Sequence, residues 1–186
     1  VIQPAPPEQP QVGRTSLVRT HKSRMTYWWD FCPRMIHLGI WDQVYIEVTD
    51  DVWLEDVWVR PRLDATLSKA DLDIEFTLQS YRTVETLVEY EISQAAKVIT
   101  AGSFSTQVQP QASKVRHATE IIQPSLWWPN GHGEQHLYQL KVTLRPSEGG
   151  PVGDRKDVAF GIRSVTWIPN ETADQSARPY QLVINN

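Results

Sequence analysis

From residue 52 onward, apolar and polar residues alternate one by one over most of the chain. Residues 70–78 are the clearest case, because every aliphatic or aromatic position there is followed by an acidic residue, threonine or glutamine. A two-residue period places successive side chains on opposite faces of a strand, so that one face is buried and the other is wet. No window of eleven or more residues shows the 3.6-residue period of a helix. The pattern therefore predicts antiparallel strands without helices.

About seven such strands are predicted between residues 52 and 166, a number and spacing typical of an immunoglobulin-like sandwich. Their centres lie near residues 53–59, 70–78, 88–92, 104–108, 115–121, 138–144 and 158–162. The breaks between them contain glycine, proline or asparagine, which are the residues that favour turns. We therefore predict an all-β fold, an immunoglobulin-like antiparallel β-sandwich.

The flanking segments differ from the sandwich. Four prolines in the first ten residues exclude a helix or a central strand there, so residues 1–25 are expected to be mobile or to pair with another molecule's edge. Residues 43–49 alternate strictly and predict the closing strand of a preceding domain. The alternation returns at residues 180–186, which predicts the start of one further strand.

Composition excludes several functional classes. The net charge of −4 provides no basic surface for nucleic acid. No apolar run approaches the ~20 residues that span a bilayer. A single cysteine, Cys32, excludes an internal disulfide framework. Neither a glycine-rich phosphate loop nor a nucleophile elbow is present, so no cofactor is expected. The cellular compartment and the oligomeric state stay open.

His132 and His136 are four residues apart, a spacing that raises the question of a metal site. Zinc-protease helices have this histidine spacing, but with the glutamate directly after the first histidine, whereas here Glu134 comes second. Gly131 and Gly133 also oppose the helix that would place both imidazoles on one face. We therefore predict no metal site. The acidic residues of the strands are expected to form solvated faces: Asp71, Asp73, Glu75, Glu89 and Glu91.

Three aromatic or glycine-containing segments occur in a fixed order along the chain. They are Tyr27-Trp28-Trp29-Asp30-Phe31-Cys32-Pro33-Arg34, Leu126-Trp127-Trp128-Pro129-Asn130-Gly131 and Phe160-Gly161-Ile162-Arg163. In kind, order and spacing they resemble the non-catalytic β-domains of family 2 glycoside hydrolases, most closely the β-mannosidase-like branch. The resemblance covers nearly the whole chain. It implies that residues 1–51 end a jelly-roll sugar-binding domain, 52–166 form the sandwich, and 167–186 lead to a catalytic (β/α)8 barrel that this chain lacks.

The first of these segments resembles the family's Phe-Gly-Trp-Asp-Trp-Gly-Pro-Arg sugar-binding motif. The resemblance implies that Trp29 and Asp30 contact substrate in the full enzyme, an indole stacking on the apolar sugar face and a carboxylate accepting hydroxyl hydrogen bonds. Trp28 and Cys32 replace glycines of the motif and Phe31 replaces a tryptophan, which adds bulk at the pocket wall. The alternative is that these aromatics only pack between domains while Asp30 pairs with Arg34.

The other two segments are structural signatures in this family, although Trp127 and Trp128 could also form a stacking platform for a sugar. Retaining hydrolysis needs two carboxyls roughly 5–5.5 Å apart. The pair Asn170-Glu171 matches the family's acid/base dipeptide only in composition, because that dipeptide belongs to the barrel. We therefore predict no catalytic residues in this chain.

The resemblance thus implies part of an enzyme that hydrolyses β-linked glycosides, with mannosides as the first choice and galactosides or glucuronides as alternatives. Its partners would be the other domains of that enzyme, the barrel and the rest of the jelly roll. Two other functions stay open: a free-standing carbohydrate-binding module, and a structural spacer that orients its neighbours.

Overall fold

The structure is a computed structural model of the 186-residue chain, and it describes residues 24–27, 33–146, 150–171 and 180–185. The chain divides into two compact units, Val1–Glu47 and Val48–Asn186. The expectations for residues 1–25 fall almost wholly outside the described residues, as do Trp29 and Asp30. The domain boundaries at residues 51 and 166 stay a prediction.

The second unit is an antiparallel sandwich of seven strands followed by a two-stranded hairpin. One sheet has the order β1-β2-β5 and the other has the order β4-β3-β6-β7. The strands are β1 Val52–Leu63, β2 Lys69–Ser80, β3 Val84–Gln94, β4 Lys97–Val108, β5 Gln111–Ile122, β6 Tyr138–Arg145, β7 Asp154–Phe160, β8 Val165–Pro169 and β9 Tyr180–Ile184. The predicted all-β sandwich is confirmed, and each of the seven strands predicted between residues 52 and 166 is present.

The core lies between the two sheets and is built from the inward positions of the alternating strands. Leu72, Ile74 and Phe76 of β2 belong to one apolar cluster with Leu140 and Val142 of β6, and all five are 0–1% exposed. Full burial of one such side chain stabilises the fold by roughly 1.5–3 kcal/mol. The apolar positions of the alternation therefore account for the stability of the sandwich.

Side chains of β7 close the edge of the sandwich against β1. The β1–β2 register shifts between Leu54 and Asp56, which marks a bulge in β1. The carboxylate of Asp154 accepts a hydrogen bond from the Leu54 amide at 2.7 Å, and the Lys156 ammonium donates to the carbonyl of Glu55. Backbone groups freed by the bulge are thus satisfied by the opposite sheet.

A buried tyrosine fixes the crossing from β5 to β6. Tyr138 begins β6, is 1% exposed, and its hydroxyl accepts a hydrogen bond from the Ser125 amide at 2.8 Å. A tyrosine at the start of this strand, bonded to backbone upstream, is the tyrosine corner of immunoglobulin-like folds.

In the first unit, the described residues contain one 3-10 helix, Arg24–Tyr27, and an irregular segment from residue 33 to 47. The helix is too short to cross a membrane, and no other helix occurs among the described residues. The strand predicted for residues 43–49 is wrong for this chain. These residues pair with no strand among those described, and Tyr45 and Ile46 are 80% and 92% exposed. An alternating pattern sets the faces of a strand, but a strand also needs a neighbour to hydrogen-bond.

The hairpin after the sandwich was predicted only in part. Strand β9 was expected. Residues 165–166 were expected to end the sandwich and residue 167 to begin a linker, but residues 165–169 form β8, which pairs antiparallel with β9 from Val165–Ile184 to Pro169–Tyr180. The alternation of β8 is only five residues long and ends in proline, so its strand character depends on β9.

Candidate interdomain junction

The two family signatures of the second unit meet at one end of the sandwich. We call this place the Trp127 junction; it comprises the turn at residues 126–135, residues 160–164 after β7, and Asn185 after β9. The Trp127 amide donates to the carbonyl of Ile162 at 2.9 Å, and Ile162 is fully buried. Two segments that are 35 positions apart (127 to 162) are therefore joined through their backbones.

The turn itself is held by local hydrogen bonds and by glycine. Trp127 and Gln135 form an isolated antiparallel bridge, and the Trp128 amide donates to the carbonyl of Glu134 at 3.0 Å. Gly133 has φ of +153°, and a Cβ there would lie 2.8 Å from Cγ of Trp128. Only glycine permits both this backbone and the close approach of the indole.

The Trp127 ring is covered by the segment after β7. The guanidinium carbon of Arg163 lies 4.4 Å from the ring centroid, a cation–π contact. A Cβ added to Gly161 would meet Trp127 Cβ at 3.0 Å, so this glycine lets the chain pass close to the indole. Both tryptophans are half-buried within the junction, which favours the structural interpretation of the motif.

Asn185 connects the hairpin to the junction. It is 1% exposed and has φ of +58°, a left-handed conformation that asparagine tolerates better than most residues. Its Oδ1 accepts from the Ser164 amide at 3.0 Å, its Nδ2 donates to the Trp127 carbonyl at 3.0 Å, and its amide donates to the Ser164 carbonyl at 3.2 Å. One side chain thus joins three separate stretches of the chain.

Beside the junction, an open cleft separates the turn from β9. It is lined by Trp128, Pro129 and His132 on one side and by Ile168 and residues 181–184 on the other. One face of the hairpin is apolar along its length, because Trp167 pairs with Leu182 and both are exposed, by 67% and 48%. The junction therefore holds an apolar surface outward from the sandwich.

The junction has no arrangement for metal binding. Within the part of the chain that the structure describes, no group of three histidine, cysteine, aspartate or glutamate side chains could hold an ion. His132, Glu134 and His136 are each exposed on the turn, and the segment is not helical.

The strand carboxylates lie outside the Trp127 junction, and one of them is buried although it was predicted to be solvated. Glu75 was expected on a solvated face but is only 6% exposed. Lys114 and Arg116 of β5 each reach its oxygens at 2.9 Å, and Arg60 of β1 lies at 3.5 Å. The register places these strands side by side, so long cationic side chains fold over the carboxylate. Hydrogen bonds from Lys114, then from Arg116, lower the pKa of Glu75, which is the opposite of what a general acid requires.

The other four strand carboxylates that were predicted to be solvated, all of which the structure describes, are surface groups or members of ion pairs. Glu89 is half-buried and accepts from Arg145 Nε at 2.8 Å, whereas Asp71 is exposed beside Lys69 at 2.9 Å. Glu171 is exposed in the turn that follows β8. The prediction that the Asn170-Glu171 pair is not catalytic stays a prediction.

The predicted sugar-contacting residues, Trp29 and Asp30, lie outside the described residues. Of their neighbours, Tyr27 is fully buried, and the guanidinium carbon of Arg34 lies 5.8 Å from the centroid of its ring. The contact of Trp29 and Asp30 with a sugar therefore stays a prediction.

Sequence reasoning missed Asn185 and the enclosure of Glu75. An asparagine directly after an alternating run is a signal for a left-handed residue at a strand end, and it could have indicated Asn185. No comparable signal exists for Glu75, because its neighbours come from strands that are 15 and 41 residues away along the chain (60 to 75, and 75 to 116).

Comparison with known proteins places these features in a family. A β-mannosidase B of Emericella nidulans is 27% identical over 180 residues, which are 93% of this chain and 20% of that protein. An exo-β-D-glucosaminidase of Hypocrea jecorina is 29% identical over 83% of this chain and 18% of its own length. The crystal structure of a β-D-mannosidase from Dictyoglomus thermophilum superposes with a TM-score of 0.80 and 28% identity, over 97% of this chain and 22% of that one.

The chain thus spans about a fifth of the length of these relatives. The model of the glycosyl hydrolases of family 2 matches residues 52–163, which include the sandwich and both junction motifs. The resemblance seen in the sequence is therefore confirmed, and the chain belongs to family 2 of the glycosyl hydrolases.

Proposed function

We propose that this chain is a non-catalytic sandwich of an enzyme that hydrolyses β-linked glycosides, and that it orients the enzyme's sugar-binding and catalytic domains. Relatives five times as long support the presence of further domains. Mannosides are the preferred substrate class, because the mannosidase structure is similar over nearly the whole chain. Galactosides and glucuronides are the alternatives.

The observation that carries the proposal is the Trp127 junction. A spacer can orient a neighbour only if the element that leads to that neighbour is fixed to the spacer. Here the hairpin is fixed by the buried Asn185 and by its bonds to Ser164 and Trp127. The exposed apolar face with Trp167 and Leu182 then offers the following domain a surface in a set direction.

The carboxylates favour a non-catalytic role. A retaining glycosidase needs one carboxyl with a raised pKa and a second that can attack the sugar. Glu75 has a lowered pKa and is enclosed by cations, so it can serve neither purpose. We therefore expect the isolated chain to be inactive on aryl β-glycosides.

The orienting role is tested by measuring residual dipolar couplings of the sandwich and of the hairpin. In the wild-type chain both should fit one alignment tensor. The variant Asn185→Gly keeps the left-handed backbone but loses the carboxamide, so the hairpin should show a weaker tensor of its own. The matched control is Asn130→Gly, the same substitution at an exposed position of the turn. A hairpin that stays aligned in Asn185→Gly contradicts the proposal.

The alternative of a free-standing carbohydrate-binding module predicts a different result. Titration of the wild-type chain with mannose, galactose and glucuronate should show no saturable binding if the chain is a spacer. Saturation in the millimolar range or below would favour the module. Turnover of an aryl β-glycoside that is lost in Glu171→Gln would instead make Asn170-Glu171 part of an active site.

We further propose that Trp29 and Asp30 contact the substrate in the full-length enzyme. A charge-assisted hydrogen bond contributes roughly 1.5–3 kcal/mol, so Asp30→Asn should lower kcat/KM about 10- to 100-fold on an aryl β-mannoside. Trp29→Ala should lower it as well. The matched control, Asp42→Asn, removes an exposed carboxylate from the same unit. An unchanged kcat/KM for Asp30→Asn would leave only the packing alternative.

A further inference from the structure

Three of the four edge strands of the sandwich are protected against pairing with another chain. Strand β1 has a bulge, Pro61 and the covering side chains of Asp154 and Lys156. Strand β7 carries four consecutive charges at residues 154–157, and β5 carries three charges spread along its length. Bulges, prolines and charges are the devices by which natural sheets prevent edge-to-edge association.

Strand β4 has fewer of these devices, because its one bulge lies near its start, where the register with β3 shifts between Val98 and Thr100. It is twelve residues long, contains no proline, and has only one charged residue, Lys97 at its first position. Its pairing with β3 is regular from Ile92–Thr100 to Val84–Val108. Its other side pairs with no strand in the described parts of the chain, so a straight row of amides and carbonyls faces outward there.

The side chains of β4 also leave room for a neighbour. Phe104 points inward, where its ring stacks on His117 at 4.8 Å and lies 5.7 Å from Phe76. Around Phe104, the exposed positions Ala101, Ser103 and Ser105 are small, and the larger exposed residues Val98, Ile99 and Gln107 lie towards the ends of the strand. A second strand could therefore approach to the ordinary spacing of roughly 4.7–4.9 Å without a steric or electrostatic clash.

We propose that β4 is a strand-addition site that pairs antiparallel with β4 of a second copy of this chain. The two four-stranded sheets would then form one continuous sheet about a twofold axis. If the axis passes near Ser103, the two Lys97 side chains lie at opposite ends, roughly 40 Å apart. No like charges then face each other, so two β4 strands can pair without electrostatic repulsion. This inference does not depend on the proposed function.

The experiment is sedimentation equilibrium of the 186-residue chain up to about 1 mM. We expect a reversible dimer in the wild type. With the axis near Ser103, the double variant Ser103→Lys/Ser105→Lys places the lysine at position 103 opposite its symmetry mate and the lysine at position 105 diagonally next to that mate. It should raise the dimer dissociation constant at least tenfold. The matched control, Ala112→Lys/Ala118→Lys, adds the same charge to exposed positions of β5 and should leave that constant unchanged. Circular dichroism of dilute samples checks that each variant is folded.

Amide exchange locates the contact. Protection of β4 amides should rise with protein concentration in the wild type and not in the β4 variant. A wild-type chain that stays monomeric at about 1 mM overturns the proposal. So does a β4 variant with the wild-type dissociation constant. If Ile46→Lys abolishes the dimer, the exposed residues 43–49 occupy the edge and self-pairing of β4 is wrong.

Discussion

Strand β2 and residues 43–49 have opposite environments despite the same alternation of apolar and polar side chains. Strand β2 lies between β1 and β5, with Leu72, Ile74 and Phe76 buried on one face. Residues 43–49 pair with no described strand, and Ile46 is almost fully exposed. The difference shows that an alternating segment forms a buried strand only where neighbouring strands pair with it, and that the pattern alone is not sufficient.

The largest expected effect comes from deleting one side chain in each segment. Phe76→Ala should lower the free energy of unfolding by about 3–5 kcal/mol, because it opens a cavity between the sheets. Ile46→Ala should change it by less than about 0.5 kcal/mol, because an exposed side chain loses no burial. Urea denaturation of both variants measures the contrast. Similar losses for the two variants would mean that residues 43–49 are packed in solution.

Removing a single hydrogen bond within the sandwich should have a smaller effect on the free energy of unfolding. Tyr138→Phe keeps the buried ring but leaves the half-buried Ser125 amide without its acceptor, at a cost of about 0.5–1.5 kcal/mol. The matched control is Tyr81→Phe, whose ring is 79% exposed and which should be neutral. Thermal unfolding of both variants compares them, and an equal melting temperature for Tyr138→Phe and wild type would show that the tyrosine corner contributes no stability.

The smallest effect on stability is expected at the turn of residues 64–68, which joins β1 to β2. The Asp64 carboxylate accepts hydrogen bonds from the hydroxyl of Thr66 and from the amides of Ser68 and Lys69. The Thr66 bond first, then the Lys69 amide, lowers the pKa of Asp64 from 3.8 to about 2. By contrast, the hydrogen bond that the Gln43 amide donates to the Asp42 carboxylate joins two adjacent residues and brings no second strand beside residues 43–49.

Because the folded pKa of Asp64 is lowered, its contribution is complete above pH 3.8 and is lost as the pH falls through about 2. Asp64→Asn should therefore be less stable than wild type at neutral pH and should converge with it near pH 2. Denaturation midpoints across this range measure the convergence, with the exposed Asp56→Asn as the control for loss of charge. A difference that is independent of pH would assign the effect to the amide itself.

The sequence predicted what depends on local alternation and missed what depends on distant neighbours. The inward positions of β2 and the seven strands follow from a period that is visible in the chain. Strand β8 was missed because its five residues become a strand only beside β9. The enclosure of Glu75 was missed because alternation states which face a residue occupies and not which cations stand next to it.

The sequence identified residues that form the Trp127 junction, but it did not predict the contacts between them. Trp127, Gly161 and Arg163 stand out in the sequence as motif residues, but their contact follows from the path of the chain after β7. Asn185 lies outside every motif, and its importance comes from burial and from bonds to two separate segments.

The position of Asn185 has a mechanical consequence. Val165 faces Ile184, so the hairpin begins and ends at the same side, next to the sandwich. Tension on the chain after Asn185 would therefore pull first on its bonds to Ser164 and Trp127, before the strand pairs could unzip one after another. A pull from a following domain would then be transmitted directly to the sandwich, and the hairpin would stay closed until that anchor gave way.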